Sequence, residues 1–74
     1  MKIAYYPDTD SMYIDLSDNS SAESREVSPG VVLDYDKNGN LTGIDIDNAS
    51  RKLSLNKLIL SRIPTDSHLL AEAA

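Results

Sequence analysis

The chain has 74 residues, no cysteine, and a formal net charge of −5 from twelve acidic and seven basic side chains. A chain this short makes one domain with a thin core, burying roughly 60% of its unfolded surface, and without cysteine neither a disulfide nor a thiolate zinc site can staple it. The acidic balance excludes the basic footprint that phosphate binding needs, since the densest basic spot is only Arg51-Lys52.

Residues 2–6 alternate, with Ile3 and Tyr5 on one side and Lys2, Ala4 and Tyr6 on the other. That is a strand, ended by Pro7, which has no N–H to donate. Pro7-Asp8-Thr9-Asp10 carries turn chemistry. Met12, Ile14 and Leu16 then share a face opposite Tyr13 and Asp15, so a second strand closes a hairpin with the first. Residues 17–24 are serine-rich and lack apolar periodicity, as a mobile loop does. Residues 25–27 can form a short edge strand, broken by Ser28-Pro29-Gly30.

Two β-branched runs flank Asn38-Gly39, a strong hairpin signal. Lys37 and Asn38 fit the centre of a type I turn, and Gly39 fits the left-handed position of a G1 bulge. This register pairs Tyr35 with Leu41, Asp34 with Thr42, Leu33 with Gly43 and Val32 with Ile44. It puts Val31, Leu33, Tyr35 and Leu41 on one face, and Val32, Ile44 and Ile46 on the other. Both faces then need cover, which one short helix does not give. A homo-oligomer (a dimer) or a bound protein partner is expected to supply it.

Asn48 is a plausible helix cap, and the spacing of Leu55, Leu58, Ile59 and Ile63 continues a helix from Ala49 through about Leu60. Pro64 stops it. The elements predict an α+β fold: an antiparallel β-meander of about four strands with a short C-terminal helix packed on one face. Residues 1–63 form the single domain, and residues 64–74 a flexible tail. The first residues lack the apolar core of a secretory signal, and the apolar runs 31–33 and 58–60 fall far short of the roughly 20 residues of a membrane span. A cytoplasmic protein that touches neither membrane nor nucleic acid is expected.

The sharpest chemical candidate lies in the hairpin. Asp34-x-Asp36-x-Asn38-Gly39 matches the opening of a calcium loop, with Asp45 at the twelfth position. Strands flank it where a calcium hand has helices, and the register puts Asp34 and Asp36 on one face and Asp45 and Asp47 on the other. No metal or cofactor is therefore expected. The acidic pairs Asp8/Asp10, Asp34/Asp36 and Asp45/Asp47 read as turn-forming and solvent-facing groups, with Asp34 and Asp45 the two placed for burial. His68, the single histidine, lies in the tail, and no nucleophile–base set or phosphate loop is present, so no catalytic or cofactor-binding residue is assigned and no enzyme is expected.

Three pieces carry a resemblance. They are Tyr5-x-Pro7-x-x-Asp10-x-Met12-Tyr13-Ile14, Glu26-Val27-x-x-Gly30-Val31-x-x-Asp34-x-Asp36, and Gly39-x-x-x-Gly43-Ile44-x-Ile46-x-x-Ala49-Ser50. In this order and spacing the chain resembles the bacterial family called domain of unknown function 2283. Tyr6 stands where an acid is common in that family. The resemblance implies no reaction, cofactor or catalytic residue. It implies an antitoxin or immunity role only through the small toxin-like proteins encoded beside some members. The expected function is a small interaction module, antitoxin-like, neutralising a basic partner. A metal site at Asp34, Asp36, Asn38 and Asp45, or a self-assembling structural protein, are the alternatives.

Overall fold

The computed structural model describes residues 1–64; the tail beyond Pro64, with His68, lies outside the described residues. Five strands form one antiparallel sheet: β1 (Lys2–Tyr6), β2 (Ser11–Asp15), β3 (Glu23–Ser28), β4 (Val31–Tyr35) and β5 (Leu41–Ile46). One helical turn follows, α1 (Ala49–Lys52).

The strand order is β1-β2-β5-β4-β3. This corrects the expected four-strand meander. Hairpins join β1 to β2, β3 to β4 and β4 to β5, but β2 pairs with β5 rather than β3. Residues 16–22 therefore pass one end of the sheet to reach the far edge, giving a Greek-key order. That connection is tied down rather than free. Leu16 N–H donates to the Thr42 carbonyl at 2.9 Å, and Ala22 N–H donates to the Tyr35 carbonyl at 2.7 Å. The Asn19 amide donates to the Asp36 carboxylate at 3.1 Å.

The β4–β5 turn forms as expected. Gly39 N–H donates to the Asp36 carbonyl at 3.1 Å, Asp36 N–H to the Asn40 carbonyl at 2.8 Å, and Gly39 takes φ 84°. Beyond the turn the register departs from expectation. Tyr35 faces Leu41 but Asp34 faces Gly43, so Thr42 is an extra residue, a β-bulge. Each residue after it changes face relative to β4.

The consequence is a sheet with two distinct faces, because directly paired residues share a face. One carries Ile3, Tyr5, Met12, Ile14, Ile44, Ile46, Val31, Leu33 and Tyr35, with Glu23 and Arg25 at the β3 edge. The other carries Lys2, Ala4, Tyr6, Ser11, Tyr13, Asp15, Gly43, Asp45, Val32, Asp34, Ser24 and Glu26. The expected placement of Ile44 and Ile46 with Val32 fails on this one inserted residue, which moves both to the face of Val31 and Leu33.

The helix is also shorter than its periodicity suggests. It ends after Lys52, where Leu53 turns extended (φ −127°, ψ 150°), and Ser54 and Lys57 close a local turn at 3.3 Å. Ser54 and Asn56 favour such turns over continued helix, and the apolar side chains that follow gain little burial to offset helix nucleation: Leu58 is 64% exposed and Ile59 71%. One turn, about 6 Å long, does not span a sheet face. Instead α1 is bonded to the β1–β2 turn, its Ala49 N–H donating to the Asp10 carbonyl at 2.8 Å. Asn48 sits left-handed at φ 52° and makes no side-chain cap; the Asp10 carboxylate takes that role, accepting Ser50 N–H at 3.1 Å.

Burial is correspondingly scant. Among the described residues only Ile46, Ala49, Asp36, Thr42 and Gly43 are buried; on the apolar face the edge residues Ile3 and Tyr5 are exposed and the other apolar residues, Ile46 apart, are partly exposed.

Candidate functional site

Three polar clusters sit on this frame. The first spans four strands. The Tyr13 side chain of β2 reaches across Gly43 of β5 and donates its hydroxyl to Asp34 Oδ2 at 2.6 Å. The Ser24 hydroxyl of β3 donates to Asp34 Oδ1, also at 2.6 Å. Glycine at position 43 is what admits the ring, since any Cβ there would collide with it. The Asp34 hydrogen bond, with lesser help from burial and the nearby negative charge, raises the Tyr13 pKa above its ordinary 10.0. Asp45 faces Tyr13 across the β2–β5 pair. Its own pKa is raised by burial first, then by the charges of Asp47 and Asp34.

The second cluster is the β4–β5 turn. Asp36 Oδ1 accepts the backbone N–H groups of Asn38 and Asn40, each at 2.9 Å. Its Oδ2 accepts the side-chain amides of Asn19 at 3.1 Å and Asn40 at 3.2 Å. These bonds, the Asn40 backbone bond foremost, hold the Asp36 pKa low. A cleft of about 350 Å³ beside it is lined by Asn19, Ser20, Ser21, Ala22, Asp36, Lys37 and Asn38.

The third cluster joins the β1–β2 turn to α1. Asp10, left-handed at φ 52°, accepts the Tyr5 hydroxyl at 2.8 Å and the Ser50 hydroxyl at 2.7 Å. The Ser50 and Tyr5 hydrogen bonds lower its pKa.

The residues singled out in the sequence therefore divide. Asp34 and Asp45 share the polar face, contrary to expectation, because of the Thr42 bulge. Asp36 belongs to the turn and is saturated by donors. Asn38 contributes its backbone N–H there. Asp8 is exposed. Asp47 accepts a long 3.4 Å bond from the Ser11 hydroxyl. Among the described residues no three histidine, cysteine or carboxylate groups converge as a metal site would require, and no helix is long and apolar enough to cross a membrane. Sequence reading missed the Tyr13–Asp34 bridge; its one signal was an isolated glycine within a strand.

These networks tie neighbouring strands and turns to one another, and they define a small single-sheet antiparallel domain closed by one helical turn. A family model described as "Protein of unknown function (DUF2283)" matches residues 2–50. That is more than half of the chain, and the protein belongs to this family. No curated protein and no solved structure matches it. Tyr5, Asp10, Tyr13, Gly30, Asp34, Asp36, Gly39, Gly43, Ala49 and Ser50, which carried the resemblance, all fall within the matched span. The clusters above give these side chains and glycines a structural position, apart from Ala49, buried in α1, and Gly30, whose positive φ of 74° serves the Pro29-Gly30 turn.

Proposed function

We propose that the protein is a small interaction module with two working surfaces, antitoxin-like in neutralising a basic protein partner. One observation supports this above others: the segregation of the sheet faces. Of the apolar residues on the apolar face only Ile46 is buried; the edge residues Ile3 and Tyr5 are 43% and 40% exposed and the others are partly exposed, where a self-sufficient sheet has cover. On the strands of the opposite face Asp15, Glu26, Asp34 and Asp45 stand against Lys2. A surface of one sign attracts a partner of the other and speeds their encounter.

The test is affinity purification from the native host at two salt concentrations, together with co-expression beside the product of the adjacent gene. A basic protein is retained at low salt, released at high salt, and lost when Asp15→Lys and Glu26→Lys are combined. Both positions are exposed, so the fold survives their exchange. Recovery of the chain without a heterologous partner at every salt concentration, with no toxicity relieved, refutes the reading.

A further inference from the structure

We infer that the apolar face is covered by a second copy of this chain, packed sheet against sheet. The inference rests on the reading of that face as a docking surface and names its occupant.

Area supports a second copy. Five strands about 4.8 Å apart, each about five residues long at ~3.4 Å per residue, give a face of about 24 by 17 Å. Two such faces, with the relief of their side chains, remove on the order of 1,000 Å² from water, which is where specific interfaces begin. Sheets packed this way lie about 10 Å apart with side chains interleaved, the geometry of an ordinary β-sandwich.

Charge supports it as well. A chain of net charge −5 resists self-association wherever its acids meet. The strands of the apolar face carry one acid and one base, Glu23 and Arg25, two positions apart on β3. A self-complementary contact between these faces is therefore neutral on each side. The acidic surplus of the strands lies on the opposite face of both copies, where Asp15 and Glu26 are exposed to a basic partner.

The chain's own leucine-rich stretch is the rival cover. Its side chains nonetheless remain exposed, Leu58 at 64%, Ile59 at 71%, Leu60 at 43%, Leu55 at 39% and Ile63 at 38%. Side chains seated on the sheet would be among its most buried.

Sedimentation equilibrium of the full chain tests the inference, with dye binding by anilinonaphthalene sulfonate as a second readout. At micromolar concentration the mass is twice the 8.1 kDa of one chain. Leu33→Lys, at the middle of the apolar face, gives the single-chain mass. Tyr6→Lys, on the opposite face and already 53% exposed, leaves the pair intact. Should Leu33→Lys fail to fold, Ile3→Lys on the edge strand, 43% exposed, reads the same face with less disturbance. A folded single chain that binds the dye overturns the second copy and leaves the docking face standing. A folded single chain that binds no dye means the chain covers the face by itself, and overturns both. A pair broken by Tyr6→Lys but not by Leu33→Lys puts the contact on the polar face and also overturns the inference.

Discussion

The Tyr13 ring lies over Gly43: a Cβ built on that glycine would sit 2.5 Å from the ring's Cζ and 3.2 Å from Cε2. The contact is diagonal, since Tyr13 pairs with Asp45 and Gly43 with Asp15. It lets one side chain brace β2, β5 and β4, ending on Asp34. Covering a strand glycine with an aromatic ring restores packing that the missing side chain forfeits.

Gly43→Ala therefore costs about 1–3 kcal/mol, the range for forcing atoms into an occupied site, because the ring must leave and its hydrogen bond break. Tyr13→Phe keeps the ring and loses the bond, costing about 1 kcal/mol. In a Tyr13→Ala background the alanine at 43 meets open space. The double-mutant cycle, read by urea denaturation, then shows coupling above about 0.5 kcal/mol. Additive losses contradict the contact.

The turn glycines give a second prediction. Gly39 takes φ 84° with no atom within 4 Å of an added Cβ, so Gly39→Ala meets backbone strain alone, about 1 kcal/mol. Gly30, at φ 74°, would also bring a Cβ to 2.6 Å from Lys52 Nζ and 3.3 Å from Asp47 Cβ. Gly30→Ala is thus the more damaging of the two by melting temperature. Gly39→Asn recovers part of the loss, because asparagine tolerates the left-handed region; the ranking reversed contradicts the turn geometry.

Much of this architecture is legible in the residues and some is not. The Asn38-Gly39 turn and the β1–β2 hairpin are local, set by backbone preference and alternation over a few residues. The bulge at Thr42 is not local. Its trace in the sequence is a parity conflict: Val31 and Leu33 against Ile44 and Ile46 fall on opposite faces in an unbulged register, and on one face once a residue is inserted. Demanding a single apolar face exposes the insertion. The helix fails for the opposite reason. Leu55, Leu58, Ile59 and Ile63 have the right spacing, but spacing yields a helix only where a surface receives it, and these side chains are exposed. Asp34 and Asp45, singled out for burial and assigned to different faces, are both half-buried on one face, and the buried aspartate is Asp36 in the turn; the face error is inherited from the register.

Stability against pH follows from three aspartates of opposite sign. Asp10 and Asp36 are held below the ordinary 3.8 by hydrogen bonds from Ser50 and Asn40 respectively. Their contribution is complete above 3.8 and lost as pH falls through the lower folded values. Asp45 is raised above 3.8, chiefly by burial. Ionised at neutral pH it opposes folding, and the native state takes up its proton first on acidification. Stability thus climbs from neutral pH toward the ordinary aspartate value, then falls below it. Asp45→Asn abolishes the climb and leaves the acid limb, whereas Asp36→Asn weakens the acid limb; thermal melts across pH decide, and a climb that persists in Asp45→Asn rejects the assignment.

Calcium provides the last test, because the hairpin matches the opening of a calcium loop so closely in sequence. Calcium needs six to eight oxygens with free lone pairs. Each Asp36 oxygen already accepts two N–H donors, and both Asp34 oxygens accept hydroxyls at 2.6 Å. Asp45 and Asp34 do share a face, but Asp36, two residues beyond Asp34, is engaged within the turn. Binding would require breaking the bonds that shape the turn and brace the sheet, with no third carboxylate converging among the described residues. Millimolar calcium therefore leaves the melting temperature unchanged relative to a chelator, and calorimetry registers no saturable heat. Asn19→Ala, which frees one lone pair of Asp36 Oδ2, lowers stability without creating affinity for the ion. A saturable heat with a rise in melting temperature would mean that the turn rearranges to release Asp36, and that its hydrogen bonds are weaker than the cation's pull.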